Sequence, residues 1–334
     1  MSQAMQATRV MSIKDALSEA IRDEMGRDDR VFVLGEDIQD PFGGPFQVTL
    51  GLTDLYGKRR VIETPISESG IIGTALGAAL AGLRPIAEIM IIDFMGVCMD
   101  QVYNQAAKVR YMSGGQVSAP MVIRTESGAG GNFGAQHSQS LEAWMCHVPG
   151  LKVVMPSTAY DAKGLMLTAI RDEDPVVFIE NFQLYWERGE CPEGDYTVPL
   201  GEAAIRHGGM DCSIVAWGRL APAAVAAAEE LAAAGIDAEV IDPRTLVPLD
   251  YNTIIASVRK TGRLVVAHEA VRRGGYGAEI AATVQERAWD ALKGPVLRVA
   301  SENTPVPYSK PLEAEMLAQK KDIVAAVTAA VGKS

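Results

Sequence analysis

One stretch decides the fold of this chain, Val61-Ile62-Glu63-Thr64-Pro65-Ile66-Ser67-Glu68-Ser69-Gly70. Its first four residues are typical of the end of a buried strand, and Pro65 ends that strand because proline has no N–H to donate to a ladder. Ser67 is a natural N-cap for a helix of small residues from Glu68 to Leu80. The stretch therefore predicts a carboxylate at the carboxyl end of a strand, where ligands bind in open α/β sheets. The alternative interpretation is that Glu68 only complements the helix dipole.

Length and composition indicate a soluble globular protein of two domains. The 334 residues are 48% hydrophobic and 22% charged, which excludes wholesale disorder. A net charge of -11 argues against nucleic acid or an anionic membrane as a partner. The longest apolar runs, Ile71–Leu83 and Pro85–Ile92, are too short to cross a bilayer, and Met1–Arg9 has no apolar signal core. We therefore expect a cytoplasmic protein.

The cysteines have no paired spacing for zinc or for a redox motif. We expect them to be reduced thiols, mostly buried. They are Cys98, Cys146, Cys191 and Cys212.

The chain on both sides of the opening stretch alternates between short apolar strands and amphipathic helices. The first series comprises helix 13–26 with Ser12 as its N-cap, strand 31–35, strand 61–64, helix 68–80, strand 85–92, helix 93–112, strand 120–125, helix 141–147, strand 151–155, helix 157–171 and strand 176–180. From Gln183 to Gly209 the pattern lapses into polar, Pro and Gly residues, which indicates a linker. The second series comprises strands 212–217, 238–242, 263–268 and 296–299 and helices 222–234, 251–259, 278–292 and 323–331. Such alternation predicts an α/β fold of two doubly wound domains with parallel sheets.

The helix that begins at Asp93 is predicted to bury one stripe of side chains. That stripe is Phe94, Val97, Cys98, Val102, Val109 and Met112.

The polar side chains of the sequence indicate acid–base chemistry. No G-x-G-x-x-G, P-loop or zinc motif occurs, and the glycine-rich loop Glu126–Gln136 fits no phosphate-binding pattern. What recurs is a polar side chain after a strand, which suits general acid–base work if the sheet brings the strand ends together. For His137 the alternative is a hydrogen-bonded loop histidine without a catalytic role. The set is Glu36, Glu68, Asp93 and His137.

Several motifs follow one another along the chain. They are Thr64-Pro65-Ile66-Ser67-Glu68, Asp93-Phe94, Asp100-Gln101, Asn104-Gln105-Ala106-Ala107-Lys108, Arg110-Tyr111, His137-Ser138-Gln139-Ser140, Pro149-Gly150-Leu151-Lys152-Val153-Val154, Tyr160-Asp161-Ala162-Lys163-Gly164-Leu165, Glu239-Val240-Ile241-Asp242, Lys260-Thr261-Gly262-Arg263 and His268-Glu269-Ala270. Over about residues 10–330 this combination resembles the beta subunit of the thiamine-diphosphate-dependent first component of 2-oxo acid dehydrogenase complexes.

The resemblance implies a pyrimidine-binding domain over residues 1–190, a linker over 191–209 and a transketolase C-terminal-like domain over 210–334. It implies that thiamine diphosphate is shared with an alpha subunit, which carries the diphosphate and Mg²⁺ motif, in an alpha2-beta2 heterotetramer. This chain has no Gly-Asp-Gly…Asn motif, in agreement with that division of labour. The resemblance also implies a lipoyl-bearing dihydrolipoamide acyltransferase as a partner.

The resemblance assigns roles to single residues. Glu68 matches the acid that bonds the N1′ nitrogen of the cofactor and so promotes loss of the thiazolium C2 proton. Phe94 matches the ring that stacks on the aminopyrimidine, and Ile66 packs nearby. Glu36 matches a second acid close to the cofactor, and His137 matches a histidine that faces the substrate and the lipoyl group. Five positions match the ligands of a structural K⁺ ion, largely through backbone carbonyls: Ala119, Met121, Ala169, Asp172 and Asp174.

Within the family, the runs around Met90 and Phe94 look closest to acetoin dehydrogenases. Branched-chain members usually carry glutamine and tyrosine there, so an apolar Met90 near the cofactor favours a small substrate without a carboxylate. The implied function is cleavage of acetoin or a pyruvate-like 2-oxo acid, with acyl transfer to lipoyl.

Two alternative functions stay open. The first is a split transketolase or deoxyxylulose-phosphate-synthase-like subunit, for which the four histidines offer few groups to bind a sugar phosphate. The second is a non-catalytic scaffold subunit, which would have no need of an acid at Glu68.

Overall fold

The computed structural model of the chain describes residues 7–332, so residues 1–6 of the Met1–Arg9 stretch lie outside the described residues. Among the helices of the described part, none is long and apolar enough to cross a membrane. The four cysteines are all free thiols, and three of them are buried, as predicted.

The strands and helices alternate along the chain as the sequence predicts. In chain order they are β1 (Thr8–Ser12), α1 (Ile13–Arg27), β2 (Val31–Gly35), α2 (Leu52–Tyr56), β3 (Val61–Glu63), α3 (Glu68–Leu80), β4 (Arg84–Ile91), a 3₁₀ turn (Ile92–Phe94), α4 (Met95–Met99), a π-helical segment (Asp100–Ala106), α5 (Val109–Met112), β5 (Val122–Ser127), α6 (Glu142–Cys146), β6 (Lys152–Val154), α7 (Ala159–Arg171), β7 (Val176–Asn181), a 3₁₀ turn (Phe182–Leu184), β8 (Arg188–Pro192), β9 (Ala204–His207), β10 (Cys212–Ala216), α8 (Leu220–Ala233), β11 (Ala238–Asp242), β12 (Thr245–Val247), α9 (Tyr251–Thr261), β13 (Leu264–Val271), α10 (Gly277–Ala288), a 3₁₀ turn (Trp289–Ala291), β14 (Leu297–Ser301), α11 (Lys310–Met316) and α12 (Lys320–Val331).

These elements form two compact units. The first unit contains the chain up to Ser127 together with His147–Leu200. The second contains Gly128–Cys146 together with the chain from Gly201 onward. The segment 128–146 therefore belongs to the second unit although elements of the first unit lie on both sides of it in sequence. The predicted domain bounds, 1–190 and 210–334, stay a prediction.

The first unit is built on a parallel sheet. Its strands lie in the order β6-β7-β5-β4-β2-β3, and every neighbouring pair is parallel. Strands β2, β5 and β7 are buried along their whole length, because helices that connect parallel strands cover both faces. Helix α1 begins as predicted, since the Ser12 Oγ accepts the Asp15 N–H at 3.1 Å, and it packs against α7.

The second unit repeats this architecture on a smaller scale. Its sheet has the order β14-β13-β10-β11-β9, parallel except for the antiparallel edge strand β9. The alanine-rich helix α8 and the helix α12 pack together over the sheet and bury its apolar strands. The prediction of two α/β domains is confirmed.

The prediction of one continuous helix from Asp93 to Met112 is wrong. The chain there forms a 3₁₀ turn, α4, the π-helical segment and α5 in succession. In the wide π turn the Ala107 N–H donates to the Val102 carbonyl at 3.0 Å, and the extra residue in that turn rotates everything that follows about the helix axis. Met112 is consequently 79% exposed, and Val97, which follows the 3₁₀ turn, is 60% exposed. Of the predicted stripe, the buried members are Cys98 and Val102.

The opening stretch is helical where predicted, but its cap differs. Helix α3 runs from Glu68 to Leu80, and Ser67 is its N-cap residue, yet the Ser67 side chain makes no capping bond. The Ser67 Oγ donates instead to the Pro65 carbonyl at 3.2 Å. Strand β3 is also less buried than predicted, with only Val61 fully buried, because it is the edge strand of the unit.

The polar region predicted to be a linker contains two strands. Strand β8 pairs antiparallel with β1, and β9 pairs antiparallel with β11. Both strands contain polar and apolar residues and pair at an edge, so no apolar run predicts them from the sequence.

Candidate active site

Three acids follow three neighbouring strands of the first unit. Strands β4, β2 and β3 lie side by side and parallel in that order. Glu36 follows β2, Glu68 opens α3 after β3, and Asp93 lies in the turn after β4. The carboxyl ends of parallel strands meet at one edge of a sheet, so the topology brings these three acids to the same edge.

We call Glu36 and Glu68 the edge acids. The Glu36 carboxylate lies near the backbone N–H of Ser67, which favours its charged form, and it interacts electrostatically with Glu68. Burial, then Glu68, then Asp37 raise the pKa of Glu36. Within residues 7–332, no hydrogen bond or ion pair engages the Glu68 carboxylate. The negative charge of Glu68 favours the protonated form of Glu36, so this edge has a carboxyl that can hold a proton.

Apolar side chains accompany the edge acids. Ile66, two residues before Glu68, is 82% exposed. Met90 lies in an irregularity of the β4–β5 ladder, where Ile89 and Ile91 pair with consecutive residues of β5 and Met90 is the extra residue between them. Bulges of this kind re-aim a side chain and are frequent beside active sites. Phe94, at the end of the following turn, is half-buried.

These residues fit the aminopyrimidine ring that the resemblance implies. Glu68 offers an uncommitted carboxylate for a ring nitrogen, and Ile66 and Phe94 offer apolar surface to a flat ring. At the same strand end, the Thr64 Oγ1 is buried without a hydrogen-bond partner in the described part of the chain. A buried hydroxyl left without a partner is typical of a site that a ligand or water completes.

His137 belongs to the other unit. It lies in the segment 128–146, is exposed, and donates its backbone N–H to the Gly134 carbonyl at 3.4 Å. The structure therefore places the edge acids, with Ile66, Met90 and Phe94, at one sheet edge of the first unit, and His137 in a loop of the second.

Three further acids of the first unit surround one buried arginine, and we call them the core acids. Arg124 on β5 donates to Glu180 through Nε and Nη2, both at 2.7 Å, and to Glu88 through Nη1. Tyr185 donates to Glu180 at 2.6 Å and lies 3.2 Å from Glu126. Burial and then Glu88 and Glu180 raise the pKa of Glu126 well above its usual range. The core acids are Glu88, Glu126 and Glu180, and all of them are buried.

The positions implied to hold K⁺ all lie in the first unit. The Lys152 Nζ contacts both carboxylate oxygens of Asp172, at 2.6 and 2.7 Å, and that of Asp174 at 3.1 Å. The Met121 N–H donates to the Ala119 carbonyl at 2.8 Å. No group of three or more His, Cys, Asp or Glu side chains suited to a metal ion occurs in residues 7–332. A cation at these positions would therefore rely on backbone oxygens, each of which has a second lone pair.

The second unit contains a buried acid of its own. Glu142 on α6 accepts a hydrogen bond from the Trp217 Nε1 at 3.2 Å, and burial raises the pKa of Glu142 to about 7. The ring of His268 stacks on Trp217 at 5.1 Å, and burial lowers the pKa of His268 to about 4. His268 is therefore neutral at physiological pH.

Sequence reasoning missed two acids that bond the glycine-rich loop. Glu269 accepts the Ala129 N–H at 2.6 Å, and Glu313 accepts the Gly130 N–H at 2.8 Å. Glu313 is 183 residues from Gly130 along the chain, and no local pattern points from one to the other. The glycine-rich run itself was the available signal. The N–H groups of such a loop need acceptors, and the run fits no phosphate-binding pattern that would make a ligand the acceptor.

Two family models of known proteins match this chain. The family model described as transketolase, pyrimidine binding domain matches residues 9–187. The model described as transketolase, C-terminal domain matches residues 201–323.

Similar proteins extend over nearly the whole chain. The chain is 50% identical to the acetoin:2,6-dichlorophenolindophenol oxidoreductase subunit beta of Cupriavidus necator, over 95% of this chain and 96% of that protein. It is 47% identical to the pyruvate dehydrogenase E1 component subunit beta of Rhizobium meliloti, over 96% of this chain and 69% of that protein. A solved structure described as a split gene transketolase, inactive beta4 tetramer, aligns with a TM-score of 0.79 at 24% identity and covers 96% of this chain and 98% of that one. The last likeness shows the fold alone.

Proposed function

The chain belongs to the transketolase-like family of acetoin and pyruvate dehydrogenase beta subunits, and from this premise we propose that it acts in a thiamine-diphosphate-dependent component that cleaves acetoin or a pyruvate-like 2-oxo acid. The acyl group then passes to lipoyl on a partner acyltransferase. The observation that carries the proposal is the pair of edge acids at the ends of β2 and β3, of which Glu68 has no partner in the described residues. The 50% identity to an acetoin oxidoreductase beta subunit favours this function over a split transketolase or a scaffold.

Each residue at the edge has a distinct task. Thiamine diphosphate, when bound, supplies a nucleophilic thiazolium carbon and an electron sink for carbon–carbon cleavage. Glu68 holds the proton exchanged at the ring nitrogen N1′, and Glu36 is the second acid beside it. Ile66 and Phe94 bind the ring, and the apolar Met90 selects a small substrate without a carboxylate. Acetoin is the substrate that this last feature favours.

His137 acts in a later step. It faces the substrate and the incoming lipoyl group and serves the transfer of the acyl group. The imidazole side chain is the commonest general acid and base in enzymes, and it is suited to exchange a proton with a thiol.

We further propose an alpha2-beta2 heterotetramer in the cytoplasm, with Mg²⁺ in the alpha subunit. The support is the small-residue side of α3, where Gly70 and Gly77 are exposed, and the exposed apolar side chains of Val97 and Met112. Apolar surface of this kind on a single chain is typical of a protein interface. A K⁺ ion held by backbone oxygens completes the proposed assembly; its positions are Ala119, Met121, Ala169, Asp172 and Asp174.

The experiment compares Glu68→Gln and His137→Ala in enzyme reconstituted with its alpha subunit. Three steps are measured: exchange of the C2 proton, cleavage of acetoin with an artificial acceptor, and acylation of lipoyl. Glu68→Gln keeps the size of the side chain but cannot exchange the proton, so C2 exchange should fall about a hundred- to ten-thousand-fold. His137→Ala should spare C2 exchange and depress acylation.

The matched control is Glu63→Gln, an exposed acid of the same stretch that accepts the Gln39 N–H at 3.1 Å. It should leave all three steps unchanged. Normal C2 exchange in Glu68→Gln would remove the centre of the proposal. Equal damage to every step in both variants, with a lowered Tm, would mean that both residues are structural.

The substrate is decided by parallel assays of the reconstituted enzyme with acetoin, pyruvate and branched-chain 2-oxo acids. We expect acetoin to give the highest kcat/KM. A preference for a branched-chain acid would contradict the role assigned to Met90. Thiamine-dependent turnover of a ketose phosphate would instead favour the split-transketolase alternative.

A further inference from the structure

The loop that carries His137 is glycine-rich, and its backbone needs glycine. Gly128 and Gly130 both have φ of +106°, a region that side chains rarely adopt. The Gly128 N–H donates to the Gln139 carbonyl at 3.1 Å, so the loop from 128 to 139 is closed at its base. His137 therefore lies within a closed loop, and a shift of one side of that loop moves the other.

The N–H groups of this loop are bound by the protein itself. Successive N–H groups in such loops usually form a concave site for an anion such as phosphate. Here the anions are two carboxylates of the second unit. The Ala129 N–H donates to Glu269 at 2.6 Å, and the N–H groups of Gly130 and Asn132 donate to Glu313 at 2.8 and 3.2 Å. The Asn132 side chain adds a bond to Glu313 at 2.5 Å.

The two carboxylates differ in how they are held. The second oxygen of Glu269 accepts from the Arg219 Nε at 2.7 Å, and Arg219 also donates to the Ala318 carbonyl. Glu313 is 2% exposed on α11, and no arginine, lysine or histidine pairs with it in the described chain. Its carboxylate accepts hydrogen bonds from Gly130 and Asn132 of the loop. Hydrogen bonds to an ionised acceptor are the stronger kind, so Glu313 fixes the loop and the loop fixes Glu313.

Apolar packing holds this loop at Ala129, which is buried in a small cluster with Val306, Met316 and Leu317. A cavity of about 70 Å³ borders the loop, and its lining includes Ala129, Ser138, Glu269, Val306 and Met316. The Ser138 Oγ is buried there without a partner among residues 7–332. The carboxylate bonds hold the loop at Gly130 and Asn132, beyond the packed residue Ala129.

We propose that Glu313 is a positioning residue that acts through His137: it holds the loop in the one arrangement in which His137 serves acyl transfer. The proposal rests on the role of His137 proposed above. It concerns the acyl-transfer step only, because that is the step proposed for His137.

The test uses the enzyme reconstituted with its alpha subunit and compares Glu313→Ala with Glu315→Ala. Glu315 is on the same helix but exposed and without a hydrogen bond or ion pair in the described chain. Acetoin cleavage is measured with 2,6-dichlorophenolindophenol as acceptor, and acyl transfer is measured with a lipoylated domain. Glu313→Ala should keep dye-linked kcat within about twofold and lower the kcat/KM for the lipoyl domain about ten- to a hundred-fold, since small misplacements of a reacting group cost that much. Glu315→Ala should change neither.

A double mutant separates positioning from general damage. If Glu313 acts through His137, then adding Glu313→Ala to His137→Ala should lower acylation no further. Additive losses, or equal losses in the dye-linked and lipoyl assays, would overturn the proposal. Should Glu313→Ala fail to fold, Asn132→Gly removes one bond to Glu313 at a position with φ of +60°, where glycine is tolerated. That variant should show the same selective loss at about two- to tenfold, and unchanged acylation would overturn the proposal.

Failure of the proposed function gives a different pattern. Normal acylation in His137→Ala would remove the role of His137 itself. A defective His137→Ala beside a normal Glu313→Ala would leave that role intact and overturn the positioning role alone.

Discussion

The core acids and the edge acids of the first unit are the same residue type within one sheet, but they differ in their surroundings. Each core acid contacts Arg124 or Tyr185 and is almost fully buried. The edge acids are half-buried, lie at the ends of strands and have no cation as a partner in the described residues. Burial alone therefore does not identify an acid that can work on a substrate. An acid without a counter-ion, at a strand end, is free to move a proton, whereas the core acids are committed to structure.

The largest effect on stability is expected when the cation that pairs with the core acids is removed. Arg124→Met leaves three buried carboxyls without their arginine, and loss of one partner of a buried ion pair costs about 3–5 kcal/mol. We expect the Tm of the reconstituted enzyme to fall by about 10 °C or the variant to be insoluble. Arg22→Met, which removes a half-exposed arginine of the same unit, should cost less than about 1 kcal/mol.

A second variant separates charge from volume at this site. Adding Glu88→Leu and Glu180→Leu to Arg124→Met removes two of the unpaired carboxyls. Apolar residues of similar volume often replace a buried ion network without net loss, so much of the lost Tm should return. A triple variant as unstable as Arg124→Met would show that packing, not unpaired charge, accounts for the damage.

Glu142 of the second unit falls between the two groups, because it is buried and hydrogen-bonded by Trp217 but has no cation in residues 7–332. Burial raises its pKa to about 7. The folded state therefore binds a proton that the unfolded state releases near its ordinary pKa, so stability is full below about pH 4.5 and falls as the pH rises through about 7. The loss approaches about 3 kcal/mol above pH 8.

Glu142→Gln should abolish this dependence, since glutamine keeps an oxygen for the Trp217 N–H and has no proton to lose. The Tm of Glu142→Gln should exceed that of the wild type by an amount that grows between pH 5 and pH 7 and then stays constant. Glu286→Gln, an exposed acid of the same unit, is the control and should follow the wild type. A constant difference between Glu142→Gln and the wild type at all pH values would show that Glu142 does not titrate in this range.

The smallest expected effect on stability is that of replacing Glu36, one of the two edge acids. Burial and the neighbouring Glu68 raise the pKa of Glu36, so ionised Glu36 weakens the fold as the pH rises through its raised pKa. Glu36→Gln should therefore raise the free energy of unfolding at pH 8 and not at pH 4, by less than about 1 kcal/mol because the side chain is half-exposed, and the Tm at pH 8 should rise slightly. A destabilised Glu36→Gln at pH 8 would mean that the attraction between the Glu36 carboxylate and the Ser67 N–H outweighs the repulsion from Glu68.

Local patterns were enough for most of the fold. Strand β2 and helix α3 have the predicted bounds, because a bounded apolar run and an N-cap residue with a helix of small residues are signals within ten or so positions of each other. The irregular region after Asp93 was not predictable, since an apolar stripe at helical spacing does not reveal a π turn such as that closed by Ala107 and Val102. Edge pairing of β1 with β8 depends on a partner far along the chain.

In the candidate site, too, some contacts could be predicted from the sequence and others could not. Glu36 and Glu68 were predictable as neighbours because each directly follows a strand of one parallel sheet. The bonds from the glycine-rich loop to Glu313 join residues 181 to 183 positions apart, and only the folded chain brings them together. The glycines were recognisable in the sequence, but their acceptor was not.

The passage of the segment 128–146 into the second unit has a consequence for how this chain can be divided. A gene fragment that begins at Gly201 encodes the sheet and helices of the second unit but not the segment that supplies Glu142 and the N–H groups bonded to Glu269 and Glu313. In such a fragment the carboxylates of Glu269 and Glu313 would lack the N–H groups of the segment 128–146 that they bind. The two units are therefore not modules that recombination can exchange at a single boundary, and a chimaera of two related chains would have to take the segment and the second half from the same parent.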